Sequence, residues 1–75
     1  MKELKIFREQ IDEIDGKLAA LLQKRAEMVR RIKFLKTEHH LAEIDREREK
    51  QILDRLETDY EKNIFRTILN ESKKL

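Results

Sequence analysis

The apolar residues of the first half of the chain recur at alternating steps of three and four. They form one seam with nine members: Leu4, Phe7, Ile11, Ile14, Leu18, Leu21, Met28, Ile32 and Leu35. This heptad spacing is typical of a helix that packs along one face. No proline interrupts the seam, and Gly16 costs only about 1 kcal/mol relative to alanine inside a helix. The pattern therefore predicts one long helix over residues 2–37.

Two shorter apolar stripes follow. The first predicts a helix over residues 43–56, and the second predicts a helix over residues 60–73 with Asp59 as its N-cap. The apolar residues of these stripes are Ile44, Ile52, Leu53 and Leu56, and then Tyr60, Ile64, Phe65, Ile68 and Leu69. We expect His39 and His40 to lie in the solvated loop before the second helix.

The predicted first helix is too long for a chain of 75 residues. It would extend about 50 Å, whereas a compact globule of this size has a radius of gyration near 11 Å, as an order of magnitude. Each of the two shorter helices would span about 20 Å, so that their hairpin covers only about half of the seam. We therefore expect a second copy to cover the rest of the seam, which gives an intertwined homodimeric helical bundle. Each chain would be a single domain spanning residues 1–75. A straight coiled coil is the alternative.

Composition narrows the fold class to all-α. Charged residues make up 45% of the chain, and it has one glycine and no proline. A sheet would need turn-forming residues about every ten positions. The formal net charge is only +2, with both signs interspersed, so nucleic acid is not the expected partner.

Several kinds of chemistry are not expected. The chain has no cysteine, which excludes a disulfide or a thiolate nucleophile. His39 and His40 are adjacent and not at helical ligand spacing, so we expect no metal site. The first ten residues, MKELKIFREQ, lack the apolar run of a signal peptide or membrane span. We therefore expect a cytoplasmic protein without a membrane partner.

Two cations share one stripe of the first helix. Arg25 stands where the seam calls for an apolar residue, and Lys36 follows eleven residues later. That separation returns Lys36 to within about 20° of Arg25 and about 16 Å along the axis. An elongated small anion could be held between them. Ion pairing of Arg25 across the dimer, and a helix-end role for Lys36, are the structural alternatives.

Two further polar features stand out near the predicted hairpin. Glu43, Arg46 and Glu47 are spaced i, i+3 and i+4, so on a helix they would project from one face. An exposed ion-pair network would explain them equally well. Ser72 continues the apolar stripe of the third helix, where a serine bonded to the backbone is the simpler explanation.

Taken together, these residues resemble the all-helical chorismate mutase family. The matching pieces are FREQIDEIDGKLAALLQKR at residues 7–25, Lys36, EIDRERE at residues 43–49 and IFRTILNES at residues 64–72. The resemblance covers nearly the whole chain. It implies an interlocked dimer with two sites, each of which takes residues from both chains, and it implies no cofactor.

The resemblance also implies a role for each site residue. Arg25 and the partner chain's Arg8 would bind the two carboxylates of chorismate, and Lys36 would contact the ether oxygen. Glu47 would accept a hydrogen bond from the ring hydroxyl. The other ligand-binding residues would be Glu43, which assists Glu47, and Arg46 and Ser72, which hold the ring carboxylate. The implied activity is the rearrangement of chorismate to prephenate in phenylalanine and tyrosine biosynthesis.

The sequence departs from the family pattern in three places. Asp is usual where Glu43 stands, and the interhelix connections are shorter. Relatives commonly carry Gln or Glu four residues beyond Ser72, and the sequence ends at Leu75. Loss of one such donor could lower the rate on the order of a hundredfold. We therefore expect a mutase that is impaired, that uses another donor, or that is represented by a shortened chain.

Two other functions fit the same residues. An isochorismate pyruvate lyase would share the fold and the cationic site, although Glu43 and Glu47 favour the mutase. A non-catalytic dimerisation or regulatory module of a shikimate-pathway enzyme is the alternative from another class. An Arg25→Ala variant separates this module from an enzyme, since an anion-binding arginine affects ligand affinity and a structural one affects stability.

Overall fold

The computed structural model describes residues 1–42 and 44–75. These residues form three helices, α1 (Lys2–Glu38), α2 (Arg46–Asp54) and α3 (Asp59–Ser72), and no strand. The predicted all-α class with a long first helix is confirmed. None of the helices in the described part of the chain is long and apolar enough to cross a membrane.

Helix α1 runs without interruption for 37 residues. Gly16 lies within it, and a Cβ added there would meet no atom within 4 Å. The chain measures 57 × 23 × 16 Å and has a radius of gyration of 16.1 Å, well above the roughly 11 Å of a compact chain of this length. The prediction that the first helix projects beyond its own globule is confirmed.

A complete Schellman motif ends α1. The His40 amide donates to the carbonyl of Thr37 over 3.3 Å, and the Leu41 amide donates to the carbonyl of Lys36 over 2.8 Å. His40 adopts the left-handed conformation, with φ of 56°, which histidine tolerates better than most residues. The motif satisfies the last carbonyls of α1 and fixes the turn that carries Lys36. Both His39 and His40 are exposed, as expected of a loop.

Helix α2 starts later than the sequence pattern predicts. The Oδ1 of Asp45 accepts a hydrogen bond from the Arg48 amide over 3.0 Å, which makes Asp45 the N-cap. A capping aspartate fixes the start of a helix because it satisfies an amide that has no partner within the helix. The prediction of a helix from residue 43 is therefore wrong, since Ile44 and Asp45 are not helical. Glu43 itself lies outside the described residues.

Helix α3 is capped by Thr58 and not by Asp59, which corrects the prediction for its start. The Thr58 Oγ1 accepts from the Glu61 amide, and the Glu61 Oε1 accepts from the Thr58 amide, each over 3.2 Å. This is a capping box, which satisfies two amides at once. Asp59 is the first residue inside the helix.

The hairpin of α2 and α3 covers a face of α1 that is offset from the seam. Arg25, Val29, Lys33 and Lys36 are half-buried beneath it. The seam members of the same half stay exposed, with exposed fractions of 42% for Met28, 50% for Ile32 and 53% for Leu35. The expectation that the hairpin covers half of the seam is therefore wrong. Among the described residues only Leu69 is buried, at 8% exposure.

Candidate active site

Three of the predicted site residues come together at one cavity. Arg25 and Lys36 on α1 and Ser72 at the end of α3 line it, with the start of α2 on the third side. Its volume is about 290 Å³, close to the roughly 300 Å³ at which small-molecule pockets begin. Val29, Ile52 and Leu69 add an apolar wall.

Arg25 and Ser72 are in direct contact across the cavity. Nη1 of Arg25 donates to Oγ of Ser72 over 2.6 Å, and Oγ of Ser72 donates in turn to the carbonyl of Ile68 over 2.6 Å. The expected serine-to-backbone bond is thus present, and it directs the hydroxyl hydrogen to Ile68 so that the oxygen accepts from the guanidinium. Among the described residues, no carboxylate lies within 4.0 Å of Arg25.

Among the described residues, the cavity carries more cations than carboxylates. Its charged lining residues in that part of the chain are Arg25, Lys33, Lys36, Arg48 and Lys73, with the carboxylates Asp45 and Glu49. Glu49 pairs with Lys73 over 2.9 Å, and Asp45 caps α2. Both carboxylates are thus engaged within the protein, so the cavity suits an anionic ligand.

Helix α2 presents residues to the cavity that the sequence analysis missed. Arg48 and Glu49 line it, whereas Arg46 lines a neighbouring groove between α2 and α3 and Glu47 is exposed. Asp45, Arg48 and Glu49 have the same i, i+3, i+4 spacing as the set predicted from sequence, which starts two residues earlier at Glu43. The N-cap preference of aspartate was the signal that could have identified this second set.

Lys33 is another lining residue that the sequence analysis missed. Its side chain is half-buried, and its Nζ donates to the carbonyls of Lys73 over 2.8 Å and of Leu75 over 2.6 Å. Lys33 lies eight residues after Arg25 and four after Val29, so it shares their side of the helix. That spacing was the available signal.

Arg8 does not reach this cavity within one chain. It lies in a shallow depression near the start of α1, beside Lys5 and Asp12. Seventeen residues of straight helix separate it from Arg25, which corresponds to about 25 Å. Glu43, the remaining predicted site residue, lies outside the described residues.

The comparison with known families identifies the chain. The family model for chorismate mutase type II matches residues 7–75. The chain belongs to the chorismate mutase type II family. A search of curated proteins and a search of solved structures found no match to it.

Membership in the chorismate mutase type II family gives the chain a substrate class. The matched residues include every predicted site residue, from Arg8 to Ser72. The chain is accordingly an isomerase that acts on chorismate, a small molecule with two carboxylates. A cavity with more cations than carboxylates is consistent with such a substrate.

Proposed function

We propose that the chain converts chorismate to prephenate by a concerted rearrangement, at a site formed by the cavity and by Arg8 of the partner subunit. The ether C–O bond breaks while a new C–C bond forms within the same molecule. No atom leaves and no proton has to be transferred. The protein has to hold a flexible dianion in its reactive conformation and stabilise the charge that builds on the ether oxygen.

The observation that carries this proposal is the shared cavity of Arg25, Lys36 and Ser72. Ser72 occupies one N–H group of Arg25. A guanidinium has five such groups, and a hydrogen-bonded neighbour fixes the plane in which the others point. A fixed plane favours bidentate binding of a carboxylate, which we assign to Arg25.

Lys36 is assigned to the ether oxygen. The Schellman motif fixes its backbone, and its side chain is half-buried beside the apolar wall of the cavity. An ammonium group that is partly shielded from water stabilises developing negative charge more strongly than one in bulk solvent. It would act mainly in the transition state.

The ring end of the ligand is assigned to α2. The resemblance gives the ring carboxylate to Arg46, the ring hydroxyl to Glu47 and an assisting role to Glu43. The cavity lining adds Arg48 as a donor. The groove that holds Arg46 shares Ile44, Glu49 and Lys73 with the cavity, so a ligand could contact both arginines.

We also propose that the functional unit is a homodimer joined along the apolar seam. All nine seam members are at least 42% exposed in the single chain. An apolar stripe of that length is far more than a stable monomer usually exposes. A second copy packed along it would bury the seam and bring Arg8 of the partner subunit toward the cavity.

The test is the disappearance of chorismate on addition of the purified chain, with the product identified as prephenate. Lys36→Ala is expected to lower kcat on the order of a hundredfold with a smaller effect on KM, because its contact strengthens as charge develops. Lys17→Ala, an exposed change on the same helix, serves as the control. Alanine variants of Arg46 and Arg48 show which arginine holds the ring carboxylate. A folded wild-type dimer without turnover would contradict the proposal.

A further inference from the structure

Lys73 connects all three helices at the edge of the cavity. Its carbonyl accepts from Nζ of Lys33 on α1 over 2.8 Å, and its own Nζ pairs with Oε1 of Glu49 on α2 over 2.9 Å. The same Lys33 ammonium also reaches the carbonyl of Leu75 over 2.6 Å. Ser72, whose hydroxyl oxygen accepts a hydrogen bond from Arg25, is the residue just before Lys73.

The ion pair at this junction differs from the others in the described part of the chain. Those others join residues only three or four positions apart, and their side chains are 57–73% exposed. Glu49 is only 26% exposed and Lys73 43%. Exposed pairs contribute little to stability, whereas a partly sheltered pair between helices can fix their relative position.

The last turn of α3 contains no basic residue, and the two lysines that follow it pair with carboxylates, Lys73 with Glu49 and Lys74 with Glu71. The carbonyls at a helix C-terminus have no partners within the helix and favour a positive charge nearby. Lys33 supplies that charge from α1. The hydrogen bonds from Lys33 to the end of α3 therefore depend on the distance between α1 and α3.

We propose that Lys33 is a positioning residue: with Glu49 it clamps the end of α3 through Lys73 and thereby holds Ser72 against Arg25. This inference rests on the proposed function for its effect on catalysis. The Lys33 ammonium donates to two backbone carbonyls. Lys33 therefore affects the ligand indirectly, through Ser72 and Arg25. When the clamp is lost, the Ser72 hydroxyl shifts and the plane of the guanidinium is no longer fixed.

The first experiment compares Lys33→Met with Lys33→Arg. Methionine keeps most of the aliphatic stem and removes the charge, so kcat/KM for chorismate is expected to fall on the order of tenfold, mostly through KM. Arginine retains N–H donors at the end of a long stem and is expected to restore most of the activity. Lys17→Met, on the exposed part of α1, is the matched control and should leave kcat/KM unchanged.

A double-mutant cycle tests the route of action. Without the Ser72 hydroxyl the clamp has nothing to position, so Lys33→Met should change kcat/KM less than about twofold in a Ser72→Ala background. If the two losses multiply instead, Lys33 acts through general stability and the proposal is wrong.

Hydrogen exchange provides a readout that does not need turnover. The amides of Lys73, Lys74 and Leu75 donate to carbonyls one turn back, and the clamp should slow their exchange. Lys33→Met should accelerate exchange at these amides, and Lys33→Arg should restore protection. Unchanged exchange in Lys33→Met would overturn the clamp. A wild-type chain with this clamp but without turnover would contradict only the proposed function.

Discussion

The two halves of α1 continue the same apolar seam but differ in what covers them. Every residue from 1 to 24 is exposed. From residue 25 to the end of the helix, five residues are half-buried beneath α2 and α3, and three of them are the cations Arg25, Lys33 and Lys36. The hairpin thus packs on a cationic face of the second half and leaves the apolar seam exposed in both halves.

The two faces of α1 therefore differ in what they contact. The cationic face builds the cavity inside a single chain, where Arg25 meets Ser72. Within the chain the seam member Ile32 lines the cavity, yet all seam members stay 42–61% exposed, and an apolar surface of that length favours a partner. In the proposed dimer, the first half of α1 would form the interface and also contribute Arg8.

The largest effect is expected from Leu18→Glu, which places a carboxylate in the uncovered part of the seam. Leu18 is 53% exposed in the single chain. In the proposed dimer the new charge would be buried without a counter-ion, which costs several kcal/mol, about 3 or more. We expect loss of the dimer in sedimentation velocity and a loss of turnover greater than about a hundredfold. Lys17→Glu, one residue away but outside the seam, should retain both properties. A Leu18→Glu chain that sediments and turns over as the wild type does would show that the seam is not an interface.

The second largest effect is expected from Arg25→Ala in the covered half of α1. Ser72 keeps its bond to Ile68 without the guanidinium, so we expect the free energy of unfolding to change by less than about 1 kcal/mol. Loss of a bidentate carboxylate contact should lower kcat/KM by about 100-fold. Arg31→Ala removes an exposed arginine that pairs with Glu27 of the same helix and should be neutral. A destabilised chain with intact ligand affinity would make Arg25 a structural residue.

A smaller loss is expected from Arg8→Ala in the uncovered half. Within one chain Arg8 lies about 25 Å from Arg25 along the helix. If the site were formed by a single chain, removal of the Arg8 side chain would leave kcat/KM unchanged. In the proposed dimer, kcat/KM should fall on the order of tenfold to a hundredfold, with thermal unfolding unchanged. Lys5→Ala, which lies beside Arg8, provides the control. Equal activity of Arg8→Ala and wild type would remove Arg8 from the site.

The smallest effect is expected from His40→Gly, just after the end of α1. Its φ of 56° favours glycine, so His40→Gly should stabilise the chain by about 0.5–1 kcal/mol. His39 has an ordinary φ of −101°, and His39→Gly should be neutral or destabilising by a similar amount. Chemical denaturation measures both changes. Destabilisation by His40→Gly would argue against the Schellman motif.

The long helix could be predicted from sequence because its signal is local and regular. Steps of three and four without proline predict a helix over residues 2–37, and α1 ends at Glu38. The starts of α2 and α3 were less predictable because a cap depends on one side chain and not on the repeating pattern. Asp45 caps α2 although the pattern predicts a helix from residue 43, and at α3 both Thr58 and its neighbour Asp59 are favourable cap residues.

The candidate site could be predicted only in part for a different reason. Arg25 and Lys36 lie on one helix, so their spacing alone places them on one side. Arg48 and Glu49 depend on how α2 is oriented against α1, which is set by tertiary packing. Spacing could place Lys33 on the same side of α1 as Arg25 and Val29, but its bonds to backbone carbonyls far along the chain depend on tertiary packing.

The most direct test of the shared site is subunit mixing. Chains with Arg8→Ala and chains with Arg25→Ala are unfolded, mixed in equal amounts and refolded together, and turnover of chorismate is measured. In a two-fold dimer whose sites each use Arg25 of one chain and Arg8 of the other, half of the dimers are mixed and each mixed dimer has one intact site. The account predicts recovery to about one quarter of the wild-type activity. Activity no higher than the average of the two variants refolded alone would contradict it.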